Sequence, residues 1–412
     1  MQTVPRIPQL PLDVKYRIVE YVLERSPPRD WLDIDTLRAL SLTSREWCTC
    51  SQPHLFTKSY LRTDNISKLL AVVKNRPVIG SWMKVVYLFN LLSLAVKGFA
   101  EAIPVLAELA PLLPNVQKLQ IELESEFGPY DNNVYEALSG FKTVPHVVLN
   151  TPHTDIFEFG KLFSALPQVP EWRLGNATIT ADSEDLPSSA VPPSLPIKSL
   201  AFSQIKLESG ELLFKMLQGA LATSNTLRSL YLIFNHPYIP DDLNPFLRAV
   251  GGSLEEFVLC FSNRLCTWYG HDEDEPTLNE MLSSVDLTSL TSLRSLSISC
   301  VEDETTLWDA LNRIPSPGHL TTINVFLASL ITYPYPDPQE PDSRTRLDQL
   351  LSSDRFSSLG TVNVISPQFI DGDEDKWRQE FAKTFPKLNA SGRLHMKENL
   401  DARFYFGFRT MM

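Results

Sequence analysis

The chain has 412 residues, 43% hydrophobic and 21% charged, the balance of a folded rather than a disordered protein. Thirty-seven basic residues against 49 acidic ones give a net charge of −12, and no basic run exceeds two residues, which argues against nucleic-acid binding. The length suits two or more domains or one extended repeat array.

No stretch reaches the roughly 18 to 20 unbroken apolar residues of a membrane helix. Asp13, Lys15 and Arg17 interrupt any secretory core near the start. The five cysteines (Cys48, Cys50, Cys260, Cys266, Cys300) are odd in number and irregularly spaced, which predicts free thiols and a cytoplasmic or nuclear setting.

The first predicted elements are three short helices. Pro8 and Pro11 precede the first, and Asp13 is placed to cap it. Val14, Ile18 and Val22 recur at i, i+4, i+8 as an apolar stripe, broadened by Tyr21, with Val19 to its side. Ser26-Pro27-Pro28 ends this helix. A second helix should start near Asp33 or Asp35 and carry Leu37 and Leu40. A third should run from Ser44, its cap, through Trp47, with Pro53 breaking the pattern. A unit of this size is marginal as an independent core. Its apolar content, with Leu10-Pro11 lying ahead of the first helix, points to a partner surface; a self-contained three-helix bundle is the alternative.

The ordered set Leu10-Pro11-x-Asp13-Val14-x-x-x-Ile18-Val19-x-Tyr21-Val22, followed by Leu40-Ser41-Leu42-x-Ser44-Arg45-x-Trp47, resembles the F-box family over residues 7–56. The resemblance implies docking on the Skp adaptor of cullin–RING ubiquitin ligases. It also implies that Leu10, Pro11, Ile18, Val19, Leu40, Leu42 and Trp47 make that contact or shape the helices behind it. One departure stands out: residues 24–35, which include Trp31, form a longer linker than the family pattern has.

Residues 57–80 are expected to form a helical connector. Over residues 81–400 an apolar-x-x-apolar-x-apolar element then recurs ten times, with Val86, Leu119, Val147, Trp172, Leu200, Leu230, Phe257, Leu296, Ile323 and Val362 as its middle residues. Their spacings run from 25 to 39 residues. Short alternation predicts a half-buried strand, and the stretches between (67–74, 99–113, 133–141, 155–166, 211–221, 243–250, 277–285, 305–314, 345–351, 376–385) read as helices. Strand then helix, repeated, predicts an α/β fold in which parallel strands build a right-handed solenoid. This is similar to leucine-rich repeats, in an irregular form. Only Leu227-x-x-Leu230-x-Leu232-x-x-Asn235 carries asparagine at the ninth position, so most turns need other backbone partners. A doubly wound α/β domain is the alternative.

Between the core positions, Lys118, Gln120, Glu122, Glu171, Arg173, Ser229 and Tyr231 should face the concave side as target-binding candidates. Val85, Tyr87 and Phe89 are apolar there and call for a cover.

No chemistry-bearing motif emerges. The acidic runs at Asp272-Glu273-Asp274-Glu275, Glu302-Asp303-Glu304 and Asp371-Gly372-Asp373-Glu374-Asp375 precede predicted helices, where they complement the helix dipole, and lack a closing calcium-loop Glu. His146 and His153 read as lone loop histidines, and no nucleophile elbow or phosphate loop is present. The aromatic tail Phe404-Tyr405-Phe406-Gly407-Phe408, within residues 401–412, suits a cap on the last repeat or a partner-binding peptide. The sequence therefore reads as a non-enzymatic substrate receptor without cofactor or metal, bound to a Skp adaptor and a cullin–RING ligase, with no nucleic-acid or membrane partner. A repeat scaffold whose F-box-like helices no longer bind the adaptor is the rival reading.

Overall fold

The computed structural model describes residues 10–25, 31–92, 97–124, 132–175, 177–180, 194–207, 210–234, 239–261, 278–301, 304–315, 317–327, 341–366, 379 and 382–398. Asn235, the runs at 272–275 and 371–375, Glu302 and Asp303, half of the helix expected over 376–385, and the aromatic tail lie outside them.

The chain begins with α1 (Leu12–Arg25), α2 (Trp31–Thr43) and α3 (Arg45–Leu55). Ser44 caps α3 as expected, the Trp47 N–H donating to its Oγ at 3.3 Å. Four details differ from the sequence reading. Asp13 sits inside the first turn of α1, where its charge meets the dipole without capping. The α1 face that is fully buried is Lys15 and Val19; Val14, Ile18 and Val22 are only half-buried. Lys15 turns that face toward α3, pairing with Glu46 and lying 5.9 Å over the Trp47 ring. The α2 helix starts at Trp31, so most of the long linker is absorbed into helix. Pro53 does not stop α3: in the last turn it removes one helical hydrogen bond, and the helix runs on to Leu55.

Only two residues after α3 the sheet starts. Strand β1 (Lys58–Leu61) pairs in parallel with β2 (Val85–Phe89), and α4 (Ile66–Asn75) and α5 (Pro77–Trp82) lie between them. Residues 57–80, expected to be a helical connector, thus hold two helices and also the first strand. Then follow α6 (Phe99–Leu109), β3 (Lys118–Glu122), α7 (Asn132–Ser139), β4 (His146–Asn150), β5 (His153–Asp155), α8 (Ile156–Ala165), β6 (Glu171–Gly175) and β7 (Thr178–Thr180). The array continues with β8 (Ser199–Leu207), α9 (Gly210–Ser224), β9 (Ser229–Phe234), α10 (Leu243–Val250), β10 (Glu256–Phe261), α11 (Leu278–Ser284), β11 (Ser295–Val301) and α12 (Glu304–Asn312). It closes with β12 (Thr322–Leu327), α13 (Pro341–Leu351), β13 (Thr361–Ser366), α14 (Pro386–Ala390) and β14 (Leu394–Glu398).

Twelve strands form one sheet in the order β1-β2-β3-β4-β6-β8-β9-β10-β11-β12-β13-β14, each parallel to the next in sequence. The short strands β5 and β7 pair with each other, and β7 with β8. Consecutive order without a reversal is the signature of a solenoid; a doubly wound sheet would reverse its order at a switch point. The ten expected middle residues lie on ten of these strands, and all are 3% exposed or less. The register stacks them strand on strand, Leu119 on Val147 and Val147 on Trp172, so each repeat buries its apolar face on its neighbours. Trp172 shows how: Phe163 meets its ring at 4.5 Å, Phe159 at 6.4 Å, and its Nε1–H donates to the Val169 carbonyl at 3.1 Å.

Side chains reaching one repeat back or forward satisfy carbonyls in the turns that lead from helix to strand. Arg313 donates to the carbonyls of Leu282, Ser283 and Val285 at 2.8 to 2.9 Å. Arg355 does the same for Asn312 and Ile314 at 2.7 and 2.9 Å, Thr226 for Ile197 at 2.9 Å, and Asn244 for Ser284 at 2.8 Å. Gly80 permits another close approach, since a Cβ there would lie 2.3 Å from the Leu112 carbonyl oxygen.

Candidate functional site

Two surfaces stand apart from the core, and the N-terminal helices carry the first. Among the described residues their own core is Val19, Leu37 and Cys50, with Leu40, Trp47 and Leu55 packed on it. Around it Leu10, Leu12, Tyr16 and Tyr21 are exposed, and Leu42 is 86% exposed. Of the residues expected at an adaptor contact, Leu10, Pro11 and Leu42 are exposed, and Ile18, Leu40 and Trp47 are half-buried. Val19 is fully buried, so it acts by holding the helices and not by direct touch. Leu12 and Tyr16, an i, i+4 pair on α1, join the exposed set; that spacing is present in the sequence but is overshadowed by the longer 14-18-22 apolar stripe.

The concave face of the sheet is the second surface. Alternation sends Leu119, Ile121 and their equivalents into the core and the residues between them outward. In register, Lys118, His146, Glu171, Ser199 and Ser229 form one row. The next row is Tyr60, Tyr87, Gln120, Val148, Arg173, Ala201 and Tyr231. All seven expected target-binding residues therefore share one face. They are not equally available: Gln120 is buried and donates to Glu122, whereas Lys118, Glu122, Arg173, Ser229 and Tyr231 are half-buried and Glu171 is exposed. Tyr231 donates to the Glu256 carboxylate at 2.5 Å. The apolar start of the face is covered by its neighbours, Tyr87 stacking on Tyr60 at 4.4 Å and Arg62 lying 5.0 Å over Phe89.

His146, expected in a loop, is the first residue of β4 and faces this surface, while His153 opens β5. Desolvation, then the charges of Lys118 and Arg173, lower the His146 pKa to about 4. Desolvation also lowers Lys118, with Arg173 adding to the shift, and lowers Arg173; it raises Glu122. Burial and the hydrogen bond to Glu256 push the Tyr231 phenol up. The surface thus holds charge that is partly withdrawn from water.

Farther along, Asn363 donates to Asn324 at 2.7 Å and Asn324 to Ser297 at 2.8 Å, a polar ladder across β13, β12 and β11. Cys48, Cys50 and Cys260 are free thiols. Among the described residues no three His, Cys, Asp or Glu side chains converge as a metal site, and no helix is long and apolar enough to cross a membrane.

No protein-family model matches the chain, and no curated protein matches it. Solved structures do. The leucine-rich-repeat-containing protein LegL7 from Legionella pneumophila is 17% identical, over 74% of this chain and 91% of that one, with a TM-score of 0.42. The structure of a TLR13–ssRNA13 complex is 13% identical, over 78% of this chain and 46% of that one, with a TM-score of 0.32. The fold itself is a leucine-rich-repeat-like β/α solenoid. Its own consecutive parallel strands and stacked core rows make it one.

Proposed function

We propose that this protein is a substrate-recruiting subunit of an SCF-type (Skp–cullin–F-box) ubiquitin ligase. The α1–α3 unit holds a Skp adaptor, the concave face holds a target protein, and a cullin–RING assembly supplies the ubiquitin-loaded enzyme. The chain contributes position and no chemistry of its own. Such a role belongs to the cytoplasm or nucleus. The observation that carries the reading is the exposed apolar set Leu10, Leu12, Tyr16, Tyr21 and Leu42 on a small helical unit, joined to the ordered F-box-like motif. The parallel array behind it offers a continuous sheet face of mixed polar and apolar side chains, of the kind that solenoids use for binding.

Mixing the purified chain with purified Skp adaptor at micromolar concentration tests this by size-exclusion chromatography. A one-to-one complex is expected. Leu42→Asp should weaken it about tenfold or more, because a charge would enter an apolar contact. The same change should leave the melting temperature within about 1 °C, since a side chain so exposed contributes little to folding. A folded protein that forms no complex would sink the ligase role and leave a repeat scaffold that binds partners without this adaptor.

A further inference from the structure

Lys118, His146 and Arg173 stand on the neighbouring strands β3, β4 and β6, all on the concave face. Register pairs Lys118 with His146 and places Arg173 one outward position farther along. At ordinary strand spacing the roots of Lys118 and Arg173 are about 12 Å apart, within joint reach of two long side chains. Both are half-buried, yet among the described residues neither makes a hydrogen bond or an ion pair. A cation withdrawn from water without a partner costs stability, and two like charges side by side cost more. A purely structural pair of this kind would be matched to an acid. Two acids attract them from a distance, Glu122 acting on Lys118 and Glu171 on Arg173, but neither closes to an ion pair: Glu122 accepts from Gln120, and Glu171 stays exposed in the solvent. Arg173 has the apolar neighbours Val148 and Ala201 in its row, and neither offers its guanidinium an acceptor side chain. Desolvation is the first cause of the lowered proton affinity at Lys118, His146 and Arg173, and His146 feels the charge of both cations.

We propose that Lys118 and Arg173 form an anion-reading site that receives an acidic segment of the target protein, its carboxylate or phosphoryl oxygens bridging the two cations. Arg173 supplies a forked donor and Lys118 a point charge. His146, neutral at physiological pH, adds a donor or acceptor between them without adding charge. This rests on the concave face being the target surface and not on adaptor docking, so an assay without adaptor tests it separately.

The full chain is titrated against three labelled peptides by fluorescence anisotropy: a hexaglutamate, a phosphoserine peptide and a hexalysine. At least one anionic peptide should bind and the hexalysine should not, and the stronger of the two anionic peptides tells carboxylate from phosphoryl. Lys118→Met and Arg173→Met should each weaken binding about tenfold or more, and added salt should weaken it further. In the free protein the same substitutions should raise the melting temperature, because each removes a half-buried cation that makes no hydrogen bond or ion pair among the described residues. That second readout separates a binding role from a structural one, which would lower it. No binding of either anionic peptide at millimolar concentration would overturn the proposal. So would equal binding by the Lys118→Met/Arg173→Met double variant, or a fall in melting temperature for both single variants.

Discussion

His146 shows how one residue's placement becomes a property of the whole protein. Its pKa in the fold is about 4, set by burial and then by Lys118 and Arg173, against the usual 6.5 of an unfolded chain. Between those values the unfolded state binds the proton and the folded state does not, so stability rises with pH there. The contribution is fully present above about pH 6.5 and is lost as the pH falls toward 4. His146→Gln should therefore flatten the urea midpoint plotted against pH over that window and leave it nearly unchanged at pH 8. Glu122, raised by burial on the adjacent strand, titrates in the opposite sense, so the informative quantity is the difference between wild type and variant. A variant with the wild-type slope would show that His146 is protonated in the fold. The sequence hid this role because a single histidine before a short apolar run carries no period of its own. Only the register with Lys118 and Arg173 gives it neighbours.

At the level of elements, the strands were the legible part and the turns were not. A side chain two places along a strand returns to the same face, so Val144-x-x-Val147-x-Leu149 and its nine counterparts mark their strands directly, and all ten middle residues are buried. Strand β1 escaped notice because Lys-Ser-Tyr-Leu lacks the full pattern and borrows its burial from β2. The turn contacts escaped because they come from side chains of changing type at changing positions, such as Arg313, Arg355, Thr226 and Asn244. Arg313 is the strongest instance, holding three carbonyls at the end of α11 from the repeat that follows. Arg313→Met should cost about 1 to 3 kcal/mol in urea unfolding, the penalty for leaving partly buried carbonyls unpaired. Arg313→Lys should recover only part of it, since an ammonium cannot reproduce a planar fork spanning several acceptors. Full recovery by lysine would mean that charge at the helix C-terminus matters and the fork does not.

Across the whole molecule, two cores of very different size share one chain. Among the described residues the solenoid core is one cluster from Leu61 to Leu388, whereas the buried apolar core of the N-terminal helices is Val19, Leu37 and Cys50. Neighbour-to-neighbour stacking spreads the stability of a repeat array along its length, and a small helical unit has no such support. The join between them is local: α3 meets the array where Phe56, packed on the large core, faces Trp82 at 6.4 Å. The N-terminal unit should therefore open before the sheet does, and its amides should exchange with solvent at lower denaturant than those of β3 to β13. Leu37→Ala, truncating a buried residue of the small N-terminal core, should cost about 2 to 4 kcal/mol and bring that early transition close to native conditions. Trp172→Ala, in the solenoid, should cost about 3 to 5 kcal/mol and move only the later transition. Hydrogen exchange followed by mass spectrometry reads both regions in one experiment. Simultaneous protection loss in α1–α3 and in the strands on Leu37→Ala would show that the two cores fold as one. In that case a partner bound at Leu10 and Leu42 would stabilise the whole solenoid, and not merely the three helices that touch it.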